Sequence, residues 1–165
     1  MYSLKRFVPE YDISGLYSYI SDKPEQKKMP GLPIVRSKDE FADRLICQLQ
    51  GFYHDLYLIC EANQIKGYLL SFDYRVYDGH CRIFGSWDIE VNCEPLTQFI
   101  DFLCSEYPLR KIFLQVTKKE NALMQSALNV GFTEEACLKE YKYADGQYVD
   151  MYVLSYYPGS DANGI

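Results

Sequence analysis

The chain has 165 residues, 48% of them apolar, with a formal charge of −6 and a pI near 4.9. That length and apolar share exclude a disordered chain, and the acidic balance excludes nucleic acid as a bulk electrostatic partner. No apolar run approaches the ~18 residues of a membrane span, and the opening MYSLKRFVPE has no signal-peptide core, which reads as a cytoplasmic protein with no membrane contact.

Tyr2–Val8 reads as a first strand stopped by Pro9, with Asp12 as the N-cap of a helix through Ile20. The stretch SDKPEQKKMPGLPIV, with three prolines and a glycine, reads as irregular. Ser37 and Glu40 form a capping box, after which Phe41, Leu45, Ile46 and Leu49 mark one face of a helix ending at Gly51. Three strands follow: Leu56–Glu61, a turn at Asn63-Gln64, Ile65–Asp73, a turn at Asp78-Gly79, then Cys81–Val91. Pro95 suits a first helical position, and Leu96, Phe99, Ile100 and Leu103 form the inward stripe of a helix ending before Pro108.

Ile112–Val116 is a short apolar run that predicts a buried strand. Thr117 and Glu120 predict a second capping box, and Leu123, Met124, Ala127, Leu128 and Val130 recur at helical spacing up to Gly131. Two strand-like runs then meet at Asp145-Gly146, a strong hairpin signal. Phe113, Leu128 and Phe132 are expected in the core with Leu58, Ile59, Leu69, Trp87 and Leu154. Without a repeat or a composition break, residues 1–157 read as one domain and 158–165 as a frayed polar tail.

The six cysteines include no C-x-x-C pair and are accompanied by only two histidines, so no metal site is expected. Most sit in apolar settings, which suits buried thiols in a reducing compartment.

The run Leu114-Gln115-Val116, the asparagine that follows, Gly131-Phe132, and the pattern DG-x-Y-x-D-x-Y from Asp145 to Tyr152 resemble the second half of the GNAT N-acetyltransferase superfamily. Within it they are most similar to the branch that acetylates ribosomal-protein N-termini and related amines. The resemblance implies an α/β fold of the α+β kind: a mixed, mostly antiparallel twisted sheet of about seven strands with helices on both faces. It implies acetyl-CoA as co-substrate, no metal, and a small-molecule or peptide amine as acceptor. In such folds the fourth and fifth strands splay apart and acetyl-CoA lies in the gap. Pantetheine would then pair with the backbone of Ile89, Glu90 and Val91. An oligomer built on the tyrosine-rich last strand is compatible with this reading.

The same comparison locates the departures. The family's glycine-rich pyrophosphate loop is replaced by Asn92-Cys93-Glu94-Pro95, which has no glycine and no arginine. A tyrosine that often protonates the leaving thiolate falls at Ala127. A cofactor-ordering asparagine falls at Glu120, with Asn121 one place late. Lys118 and Lys119 are candidates for the nucleotide phosphates, or else solvated lysines of a first helical turn. Amine acylation needs a base, and Asp88 and Glu90 share one face of the expected fourth strand by its period of two. Either is the candidate base, or both are exposed carboxylates. Two function classes follow: an N-acetyltransferase, or a binding module of the same shape without catalysis.

Overall fold

The computed structural model describes residues 1–88 and 90–159, apart from the side chains of Glu25, Gln26 and Asn121. The elements are β1 (Ser3–Arg6), α1 (Pro9–Asp22), α2 (Pro24–Lys27), α3 (Lys38–Gly51), β2 (Tyr53–Glu61), β3 (Gln64–Arg75) and β4 (His80–Trp87). They continue with α4 (Glu94–Glu106), β5 (Lys111–Val116), α5 (Asn121–Val130), β6 (Thr133–Ala144) and β7 (Gln147–Tyr156). Hydrogen bonding orders the strands β1-β2-β3-β4-β5-β7-β6. The β4–β5 pair is parallel; β1–β2, β2–β3, β5–β7 and β6–β7 are antiparallel. The expected mixed, mostly antiparallel sheet is therefore present.

The chain divides into two compact units, Met1–Asp73 with Phe84–Ile89, and Tyr74–Ile83 with Glu90–Ile165. In the first, Pro9 opens α1 instead of merely ending a strand, because its fixed φ and missing N–H suit a first helical position. Asp12 is not the N-cap: it sits inside the first turn, and its carboxylate reaches back to the Val8 amide at 2.8 Å. The proline-rich linker is not wholly irregular, since Pro24 starts the short α2. Ser37 does cap α3, accepting from the Glu40 amide. Leu16, Met29, Phe41, Leu45, Leu58 and Tyr68 are among the side chains that fill this unit's core. The β2–β3 turn is centred on Ala62 and Asn63, both at positive φ, one residue earlier than expected.

In the second unit, the inward stripe of α4 is buried as expected, and β5 alternates with Ile112, Leu114 and Val116 inside. Phe113 is consequently on the other face, half buried, its ring edge-on to His80. Leu128 is exposed, because Leu123 and Ala127 take the inward positions of α5. Gly131 ends α5 at φ 112°, and the Phe132 amide reaches back to the Ala127 carbonyl at 3.0 Å. Asp145 and Gly146 both have positive φ and join Ala144 to Gln147, the expected two-residue hairpin. Of the tail expected to fray over 158–165, residues 160–165 lie outside the described residues.

Candidate functional site

The site grows from the end of β4. A Cβ on Gly67 would lie 2.5 Å from the Ser86 carbonyl oxygen and from the Cβ of Trp87, so only glycine lets the backbone approach this closely. One step further the Asp88 amide donates to the Lys66 carbonyl at 2.8 Å. β4 ends at Trp87, whereas the sequence predicted a strand through Val91. Asp88 and Glu90 therefore lie beyond the strand on which the sequence placed them. The Asp88 amide still bonds across to Lys66, while its carboxylate is drawn to a partner distant in sequence.

That partner is Lys27. Its ammonium lies 2.5 Å from Oδ2 of Asp88 and 3.3 Å from Oδ2 of Asp22, with the side chain only 3% exposed. The same Nζ stands 3.9 Å from the centroid of the Tyr19 ring. An ammonium removed from water to this degree needs such compensation, here two carboxylates and an aromatic face. Two tyrosines brace the arrangement. The Tyr68 hydroxyl donates to the Lys27 carbonyl at 2.7 Å, and the Tyr19 hydroxyl lies 3.2 Å from Oγ of Ser86. Burial pushes the Tyr19 hydroxyl well above its ordinary pKa, so it remains a neutral hydrogen-bonding group.

A cleft of about 610 Å³ opens onto this cluster, with Tyr19, Asp22, Lys27 and Asp88 in its wall beside the ion pair of Lys5 and Asp12. Both exposed carboxylates, Asp22 and Asp88, face this cleft. A polar ligand with an ammonium group would meet carboxylate oxygens here. Sequence reading missed Lys27, Asp22 and Tyr19. Lysines 23, 27 and 28 look like a solvated linker, and the available signal was Pro24, a residue that favours a helical first turn and so turns Lys27 inward.

In the second unit Glu90 and Val91 are exposed. The Asn92 side chain accepts from the Glu94 amide at 2.9 Å, and the Cys93 thiol donates to the Ser126 carbonyl at 3.8 Å. Pro95 has no amide proton. Of the first three positions of α4, then, at most Leu96 keeps an amide for an anion. Lys118 is exposed, its ammonium 5.7 Å from the Tyr152 ring centroid, and Lys119 pairs with Asp145 at 2.7 Å. Thr117 and Glu120 do bond to each other, but not as a helix cap. The Glu120 carboxylate accepts from both the amide and the hydroxyl of Thr117, and the helix starts only at Asn121. Ile89 and the Asn121 side chain lie outside the described residues.

Among the described residues no group of three or more His, Cys, Asp or Glu side chains is placed to hold a metal, and no helix is long and apolar enough to cross a membrane.

Neither a protein-family model nor a curated protein sequence matches the chain. Solved structures do. The ribosomal L7/L12 α-N-protein acetyltransferase in complex with coenzyme A superposes with a TM-score of 0.78 at 17% identity, over 97% of this chain and 96% of that one. The ribosomal-protein-S5-alanine acetyltransferase from Vibrio fischeri gives 0.77 at 15% identity, over 96% and 94%. A spermidine N-acetyltransferase variant from Vibrio cholerae gives 0.79 at 14% identity, over 94% and 93%. Over these spans the chain has the fold of these N-acetyltransferases.

Proposed function

We propose that the protein is an N-acetyltransferase that moves the acetyl group of acetyl-CoA to an amine. The observation that carries this reading is the cleft at the end of β4, where exposed carboxylates stand ready for an ammonium group, in a chain that shares its fold with N-acetyltransferases. Asp88 is the base in this scheme, and the exposed Glu90 is the second candidate. The carboxylate takes a proton from the acceptor ammonium, and the freed nitrogen attacks the thioester carbonyl carbon. A C–N bond forms, the C–S bond breaks, and the sulfur leaves with a proton as the coenzyme A thiol. Anchoring of acetyl-CoA by backbone pairing at Ile89, Glu90 and Val91 needs no particular side chains. Asn92, Cys93, Lys118, Lys119 and Asn121 are the proposed surroundings of its phosphates.

A second reading has its own observation. The lead-in to α4 has its Glu94 amide satisfied internally, a proline at the next position, and a carboxylate where a pyrophosphate would come. A binding module without transfer chemistry would tolerate this. Calorimetry with acetyl-CoA separates the two. The transferase reading expects binding that strengthens in Glu94→Gly, through loss of the like charge. Absence of heat in both proteins at low salt would favour the module.

A further inference from the structure

The amine cleft already contains an ammonium, and it belongs to the chain. Lys27 Nζ rests on Oδ2 of Asp22 and Oδ2 of Asp88, over the ring of Tyr19, and its 3% exposure means that it is built in. Both carboxylates are far more exposed, 64% for Asp22 and 42% for Asp88, and the Oδ1 atom of each takes no part in these bonds. The other charged pair of the cleft closes on itself. Asp12 accepts from Lys5 at 2.6 Å and from the Val8 amide at 2.8 Å.

Three carboxylates thus face two ammonium groups in the described lining, which leaves one negative charge in excess. From this we infer that the cleft selects acceptors carrying a single positive charge, and that Lys27 is the residue that sets the limit. The inference rests on the transferase reading and names the substrate class of the same site. One entering ammonium finds the excess charge shared by Asp22 and Asp88. A second ammonium on the same molecule finds no carboxylate left over, and it must leave water beside Lys27 and Lys5. Peptide N-termini and simple monoamines fit this pattern; diamines and polyamines do not.

Lys27 is replaceable without stranding a buried charge, since both carboxylates regain water when it goes. The Tyr68 bond is to the Lys27 backbone and survives the change. The experiment compares butylamine with putrescine as acceptors in wild type, Lys27→Met and Lys27→Arg. It reads kcat/KM for thiol release and, separately, amine binding by calorimetry in the presence of coenzyme A. Wild type and Lys27→Arg should favour butylamine. Lys27→Met should move the ratio toward putrescine by about fivefold, the scale of one half-exposed ion pair gained. A wild-type preference for putrescine, or an unchanged ratio in Lys27→Met, would overturn the inference. Failure of either amine to bind while thiol release proceeds with a peptide acceptor would also overturn it, yet leave the transferase reading standing. Failure of every acceptor to release thiol would remove the transferase reading itself.

Discussion

The Lys27 ammonium and the Asp88 carboxylate meet at 2.5 Å across 61 residues of sequence, and their contact holds the end of β4 to the first helical region of the chain. If Asp88 is the base, Asp88→Asn should lower kcat/KM by about 100-fold or more, the usual scale for loss of a positioned base. The loss should shrink as pH rises, because an amine already deprotonated in solution no longer needs the carboxylate. A pH series on the two proteins reads this directly; a pH-independent deficit would make Asp88 a structural residue only.

Gly67 tests how the site is held. Any side chain there meets backbone at 2.5 Å, so Gly67→Ala must push β4 away from β3. Overpacking of this kind costs about 1–3 kcal/mol. Because Asp88 is bonded to neighbouring Lys66, acetyl transfer should fall along with the urea midpoint. Unchanged stability would show that the strands accommodate the methyl group.

Phe132 lies just past the C-terminal end of α5, 2% exposed, with the Tyr156 ring at 5.4 Å. Phe132→Ala should destabilise the protein by about 3–5 kcal/mol in urea unfolding. Gly131→Ala should cost about 1–2 kcal/mol, because φ of 112° suits no L-residue. Losses below ~1 kcal/mol in the first variant would place Phe132 outside the core.

Acid stability should depend on Glu135. Its carboxyl is held below the ordinary value, first by the hydrogen bond from Lys111 at 2.6 Å and then by that from the Ser155 hydroxyl. A depressed folded-state pKa contributes stability above the unfolded value of about 4.3, and the contribution disappears as pH falls through the lower folded value. The side chain is 41% exposed, so solvent screening keeps the effect to at most ~1 kcal/mol. Unfolding curves at about pH 5 and about pH 3 should show Glu135→Gln losing less stability on acidification than wild type. Parallel losses would remove Glu135 from the account.

Local signals carried much of the fold. The apolar run Ile112–Val116, the glycine after α5 and Asp145-Gly146 each depend on residues adjacent in sequence and each marks its element, although Phe113 turns away from the core expected for it. Ser37 and Glu40 likewise formed the cap that their spacing predicts. The site was less legible because its chemistry is long-range. Near Lys27 only Pro24 hints at a turn inward, and one of its two carboxylate partners, Asp88, is 61 positions away. β4 ends at Trp87, four residues before the end that its sequence predicts. At Thr117 and Glu120 the residue types were right, but Glu120 accepts two bonds from Thr117 and the helix begins only at Asn121, three residues later than a Thr117 cap would start it. Side-chain hydrogen bonds of this kind compete with helix formation and leave the same sequence pattern as a cap.

The most direct test of the central claim is release of coenzyme A thiol from acetyl-CoA, measured with and without an amine acceptor at low salt. Thiol release should require both protein and amine, be faster in Glu94→Gly, and fall sharply in Asp88→Asn. Release no faster than the protein-free reaction, in both wild type and Glu94→Gly and with peptide and monoamine acceptors alike, would contradict it.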